Sequence, residues 1–352
     1  MSTSVSVPGR IELLGNHTDY NGGRILVAST HRVVTVRIDR TKDGRVTVTS
    51  DALRGRVSRS IRNLKPIVGP GTWANHVLGA VEILGRENDG LGGWNIHVGG
   101  DLPLGAGLAS SAAVGVATLR AILKLTSRRM PLRSLATCAQ AIENDFVGVP
   151  TGPLDPLSCA LGRRGRLMRL NFAGEPRVET IPLPSEWKIL VFDSGQRHTL
   201  AASKYGQRRR ECAAAAQSLG VTHLGEIGPE TFAHRDSVLS EKLRRRARHV
   251  VTESARVDQA WKILARCGSA GGIGSLLNAS HRSSQLDFDN SHPAVDRLVA
   301  RLQSIPEVAG ARLTGGGFGG AVIGWVRRAD VKQVLATLAA DAAAAPRLLD
   351  LV

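Results

Sequence analysis

Leu102-Pro103-Leu104-Gly105-Ala106-Gly107-Leu108-Ala109-Ser110-Ser111-Ala112-Ala113 runs without a break into an apolar, Ala-rich stretch that ends at Leu125. The glycines let the backbone approach a ligand closely, and the paired serines can cap a helix. A helix start offers unpaired N–H groups and the positive end of the macrodipole, both of which attract phosphate. The stretch therefore reads as an anion cradle or as an ordinary capped helix entry after a Gly-rich turn. It is neither of the two common nucleotide loops, because no Gly-Lys-Ser/Thr closes it and G-x-G-x-x-G is missing.

Two further stretches stand near the ends of the chain. One is Pro8-Gly9-Arg10-Ile11-Glu12-Leu13-Leu14-Gly15-Asn16-His17-Thr18-Asp19-Tyr20-Asn21-Gly22-Gly23, and the other Leu313-Thr314-Gly315-Gly316-Gly317-Phe318-Gly319-Gly320. In order and spacing, the three resemble the motifs of the GHMP kinase superfamily, which includes galactokinase, homoserine kinase, mevalonate kinase and phosphomevalonate kinase. The His17–Gly23 run is similar to galactokinase in particular. The resemblance spans nearly the whole chain and implies an α+β, two-domain GHMP kinase fold. An N-terminal domain like the second domain of ribosomal protein S5 is expected over 1–190, and a ferredoxin-like C-terminal domain over 191–352.

Composition sets the broad class. At 352 residues, 42% hydrophobic and 22% charged, the chain is an ordinary soluble globular protein with room for two cores. No apolar run approaches a membrane span and the first residues form no signal segment, so a cytoplasmic protein without membrane partners is expected. Cys138, Cys159, Cys212 and Cys267 have no C-x-x-C spacing, which points to reduced, mostly buried thiols. The formal charge of +16 attracts polyanions. Basic residues are nevertheless spread along the chain, and aromatics for stacking make up only 4%. Arg208–Arg210 and Arg244–Arg246 read as solvated helix faces, with no specific nucleic-acid site and only salt-sensitive association. A monomer or weak homodimer is expected.

Periodicity places strands at Ile11–Leu14, Arg24–Val27, Val33–Ile38 and Val46–Thr49, with Asp43-Gly44 as a hairpin between the last two. A helix over Thr72–Leu84 and a strand over Trp94–Val98 lead into the central loop. Helices are expected over Leu132–Val147, Ser203–Leu219, Glu241–Ala265, Ser291–Leu302 and Ala329–Ala344, and strands over Trp187–Phe192, Ala311–Thr314 and Ala321–Val326.

Phosphoryl transfer from ATP to a hydroxyl needs a phosphate cradle, a divalent cation, a positive group and a carboxylate for the hydroxyl proton. The cradle is Gly105, Ala106, Gly107, Leu108, Ala109, Ser110 and Ser111. The resemblance places Ser111 at the Mg²⁺ and phosphates, Glu143 as the Mg²⁺ carboxylate and Asp155, twelve positions on, as the catalytic carboxylate. Arg10 would sit beside Asp155, where a guanidinium keeps an aspartate ionised. For the sugar, the resemblance implies Asn16, His17, Asp19, Gly152 and Tyr205, with Arg197 near the site; Tyr205 also reads as a packing residue.

Some positions depart from the pattern. Asn16 replaces a glutamate, Thr151 the usual cysteine and Pro156 a glutamine; Pro153, Gly115 and Ala109 are also unusual. The expected function is an ATP- and Mg²⁺-dependent kinase acting on the anomeric hydroxyl of galactose or a related sugar. The alternative is a catalytically silent relative that senses sugar and ATP and regulates a partner.

Overall fold

The computed structural model describes residues 2–85, 92–196, 201–266, 270–340 and 345–352. The chain forms two compact units, one of residues 1–10, 31–104 and 109–162, the other of 11–30, 105–108 and 163–352. Strands β1 (Ser2–Leu14) and β2 (Arg24–Arg40) contribute residues to both.

In the first unit, the C-terminal half of β2 is followed by β3 (Arg45–Ser50), β4 (Arg56–Ser60), helix α1 (Asn75–Gly85) and β5 (Trp94–Gly100). Val36, Ile38, Val48 and Ile96 alternate inward with 1% exposure or less, the period-2 pattern of strands lying on a core. The expected hairpin at Asp43-Gly44 does not form. β5 inserts between its two arms, antiparallel to β2 and parallel to β3, while β3 pairs antiparallel with β4. The turn exists, with the Asp43 carboxylate accepting from the Arg45 N–H at 3.1 Å, but a local turn signal carries no information about a later strand.

Three helices complete this unit: α2 (Ser110–Leu125), α3 (Leu132–Ala141) and α4 (Leu154–Leu161). The single helix expected over Leu132–Val147 changes to π geometry over Ile142–Val147 and stops at Gly148, whose φ is 81°. Cys159 is buried and Cys138 half-buried, both free thiols; Cys267 lies outside the described residues.

In the second unit β6 (Arg166–Asn171) pairs antiparallel with the N-terminal half of β2 and with β7 (Arg177–Pro182). Then come β8 (Trp187–Asp193), α5 (Ala201–Ser218), α6 (Pro229–Arg235), α7 (Glu241–Ala265), α8 (Gly272–Ser283), α9 (Pro293–Gln303), β9 (Val308–Leu313), β10 (Ala321–Arg327), α10 (Val331–Ala339) and β11 (Arg347–Leu351). The last four strands form one antiparallel sheet in the order β11-β8-β10-β9. Numbered within the sheet this is 4-1-3-2, the split β-α-β arrangement of the ferredoxin-like fold. Leu190, Phe192, Leu313 and Val322 bury one face of it against Val295, Val299 and Leu302 of α9 and Val334 of α10. A second apolar cluster joins Cys212 and Ala215 of α5 to Val250 and Val251 of α7 and to Phe288. Among the described residues no helix is long and apolar enough to cross a membrane.

Candidate active site

Within the first unit, Arg10 and Asp155 meet across 145 positions of sequence. The Arg10 Nε donates to Asp155 Oδ1 at 2.7 Å and Nη2 donates to Oδ2 at 2.9 Å, the two-pronged geometry that fixes a carboxylate plane. The arginine side chain is 6% exposed and the aspartate 30%, so a held carboxylate still faces outward. Asp155 lies in the first turn of α4, where the helix dipole favours negative charge. Pro153 takes the cap position and Pro156 a first-turn position, where a missing N–H costs nothing. Gly152 is buried just before this helix start.

Glu143 occupies the π-helical turn and is 5% exposed. The chain folds back after Gly148, so the Thr151 hydroxyl donates to Glu143 Oε2 at 2.5 Å and the Thr151 N–H to Asn144 Oδ1 at 2.8 Å. Burial pushes the Glu143 carboxyl up to about 7; the Thr151 bond opposes this, the neighbouring Asp155 charge adds to it, and Arg10 pulls it down. A buried carboxylate of this kind accepts a proton or a cation at neutral pH. A hydroxyl at position 151 thus gives the buried carboxylate a hydrogen-bond donor.

The paired serines do not cap α2. Ala109 holds the cap position at φ 60°, with no side-chain cap bond, and Ser110 and Ser111 lie inside the first turn. The first helical bond runs from the Ala113 N–H to the Ala109 carbonyl at 3.0 Å, which leaves the N–H groups before it outside the helix ladder. Ser111 is exposed, whereas Leu108 and Ala106 are buried. Gly105 and Gly107 have φ of 68° and 78°. In the second unit, a Cβ on Gly315 would come 2.8 Å from the Gly107 carbonyl oxygen, so the central and C-terminal glycine motifs touch only because neither has a side chain there.

The second unit also holds the His-Thr-Asp-Tyr run. Asn16 is 1% exposed. Its amide donates to Glu12 Oε1 at 2.9 Å and to the Gly315 carbonyl at 2.7 Å, and its Oδ1 accepts from Asn290 Nδ2 at 2.7 Å. His17 Nε2–H donates to the Gly316 carbonyl at 2.9 Å, so Nδ1 accepts from the Tyr20 hydroxyl at 2.8 Å. Burial, aided by the Arg208 and Arg312 charges, pushes the His17 imidazole down to about 4 against the opposing Gly316 bond; the ring is neutral. Tyr205 brings its ring within 4.9 Å of His17 and 5.6 Å of Tyr20. Asp19 is 7% exposed, and Arg197 lies outside the described residues. Motifs far apart in sequence thus converge on residues 15–20.

Part of this setting escaped the sequence reading. Arg246, His249 and Glu253 stand on the helix whose charge run predicts a solvated face, yet all three are buried. Glu253 Oε1 accepts from the Gly15 N–H at 3.0 Å, the Ser280 hydroxyl at 2.6 Å and Arg312 Nη1 at 3.4 Å, while Arg256 Nε donates to Oε2 at 2.7 Å. Burial opposes its charge, but Arg256 and Arg312 hold the carboxyl well below the usual range. His249 Nε2 meets the Asn16 carbonyl at 3.1 Å. The spacing 246, 249, 250, 253 and 257 is one helix face, and its apolar members were the available signal.

Comparisons with known proteins bear on the family. The description "GHMP kinases N terminal domain" matches residues 75–163 and "GHMP kinases C terminal" matches 232–344, while "Galactokinase galactose-binding signature" matches 3–40. A galactokinase of Roseiflexus sp. (strain RS-1) is 36% identical over 333 residues, 93% of this chain and 84% of that protein. One from Halalkalibacterium halodurans is 34% identical over 336 residues, 92% and 83% of the two chains. Among solved structures, Lactococcus lactis galactokinase complexed with galactose superposes with a TM-score of 0.89 at 29% identity, covering 95% of this chain and 88% of that one. With family models matching both halves of the chain and two galactokinases more than 30% identical over most of its length, the chain belongs to the galactokinase family of the GHMP kinases.

Proposed function

We propose that the protein transfers the γ-phosphoryl group of ATP to the anomeric hydroxyl of galactose, giving the sugar 1-phosphate and ADP. The observation that carries the reading is the bidentate Arg10–Asp155 pair, a carboxylate fixed in one plane and still partly exposed. Asp155 accepts or polarises the proton of the attacking hydroxyl, and Arg10 fixes its orientation and adds positive charge where the transferring phosphoryl gathers negative charge. The N–H groups at the start of α2 and the loop Gly105–Ser111 cradle the phosphates. Asn16, His17, Asp19, Gly152 and Tyr205 are the proposed sugar-facing residues, and His17 contributes there as a neutral ring. Galactose as the sugar rests on the relatives and on the matched galactose-binding segment.

A divalent cation fits the residues present. Mg²⁺ takes one or two carboxylates and otherwise keeps water and phosphate oxygens. Glu143, a buried carboxyl near neutrality, and the exposed Ser111 hydroxyl would hold it. The ion supplies charge neutralisation for the phosphates. Replacing Asp155 by Asn tests the reading: turnover should fall by about 10²–10⁴-fold, with ATP still bound. Near-normal turnover would remove Asp155 from the chemistry.

A further inference from the structure

In the second unit a cavity of about 270 Å³ opens between α5, the start of α7 and Phe318 of the C-terminal glycine motif. Its floor is an ion-pair lattice. Glu211 Oε2 accepts from Arg208 Nη1 at 3.2 Å and Arg246 Nε at 2.8 Å, and Oε1 from Lys242 Nζ at 3.0 Å and Gln207 Nε2 at 2.9 Å. Arg208 also pairs with Asp289 Oδ2 at 2.8 Å. Four cations thus face two carboxylates whose charge is already engaged. The excess lies at the rim, where the exposed Lys204 carries its ammonium 5.6 Å from the centre of the Phe318 ring and Lys242 is 57% exposed.

We propose that this cavity binds a small oxyanion of the phosphate class, either inorganic phosphate or the phosphate of a phosphorylated sugar, between Lys204 and Lys242 above the Arg208–Glu211–Arg246 floor. Its volume lies just below the roughly 300–1,000 Å³ of drug-sized sites, which suits a compact dianion. The wall of the cavity joins the His-Thr-Asp-Tyr run. The Phe318 N–H donates to the Asn290 carbonyl at 2.6 Å, and the Asn290 amide donates to Asn16 Oδ1 at 2.7 Å. Lys204 directly precedes Tyr205. On the reading of Asn16, His17 and Tyr205 as the sugar site, an anion that draws Lys204 away from Phe318 loosens Tyr205 and weakens sugar binding, so a phosphate ester made by the enzyme restrains it.

Calorimetric titration of the full chain with inorganic phosphate, and separately with galactose 1-phosphate, tests this at constant ionic strength with galactose and a non-hydrolysable ATP analogue both saturating the candidate active site. Saturable one-to-one binding is expected, weakened about tenfold in a Lys204→Gln/Lys242→Gln double variant whose urea midpoint matches that of the unmodified protein. Saturation by phosphate alone or by the ester alone identifies the source. Galactose affinity should drop about threefold with inorganic phosphate in the unmodified protein and not respond to it in the variant. Absence of saturable binding, or binding that the double variant leaves intact, overturns the site. A bound anion with unchanged galactose affinity overturns the link to the sugar. If galactose itself does not bind, the sugar reading fails while the anion titration still decides the cavity.

Discussion

A carboxyl such as Glu143 gains its usefulness from being placed badly as an isolated group: burial raises it to about 7, and the Thr151 hydroxyl partly restores its acidity. Removing that donor with Thr151→Val should raise the carboxyl further. Because a cation must displace any proton, the Mg²⁺ concentration for half-maximal turnover should rise about tenfold, the cost of one charge-assisted hydrogen bond. Turnover at saturating Mg²⁺ should change little; steady-state titrations with Mg²⁺ check both. The candidate pair of Arg10 and Asp155 was legible because each sits in a recognisable motif. The partners of Asn16 were not. Glu12, Asn290 and Glu253 reach it from three parts of the chain, and no local pattern encodes such a meeting. The Asn16 amide is held by protein groups on both its nitrogen and its oxygen.

Elements follow the sequence where their own periodicity decides them. Helix α7 spans Glu241–Ala265, as its pattern predicts, and the strand–loop–helix order around residue 105 holds. They depart from it where a distant partner decides, as when β5 separates β2 from β3, or where the chain must bend to aim a side chain, as in the π turn that carries Glu143. Two glycines inside helices show how packing sets the outcome. A Cβ at Gly274 would fall 2.0 Å from the Ala309 carbonyl oxygen, which belongs to a strand backbone that cannot yield. Gly274→Ala should therefore cost about 3 kcal/mol in urea unfolding. At Gly115 the nearest atoms, on Ile142 and Ala139, would be 3.8 and 4.0 Å away. Gly115→Ala should instead stabilise the protein by about 0.5–1 kcal/mol, the helix-interior penalty of glycine.

For the whole molecule, the +16 charge was read as a solvated surface, but Arg208, Arg246 and Arg312 are at most 5% exposed, so part of the arginine content cements the fold around the candidate site. The buried histidines set its pH range. Burial lowers His17 and His281 to about 4 and His249 to about 3. An unfolded histidine takes a proton near 6.5, so each contribution is whole above that pH and is lost as pH falls toward the folded value. At pH 5 each costs about 2 kcal/mol, against a total stability of roughly 5–15 kcal/mol for a domain. Glu143, raised instead of lowered, offsets only part of this. The urea midpoint should fall steeply between pH 7 and pH 5; a flat profile would mean that the histidines are solvated. The most direct measurement is ADP release from Mg²⁺-ATP across a panel of aldoses, amino sugars and uronic acids, with Asp155→Asn alongside. Release with galactose, abolished or nearly so in the variant, is the predicted result; ATP bound with no ADP formed from any sugar would contradict the account.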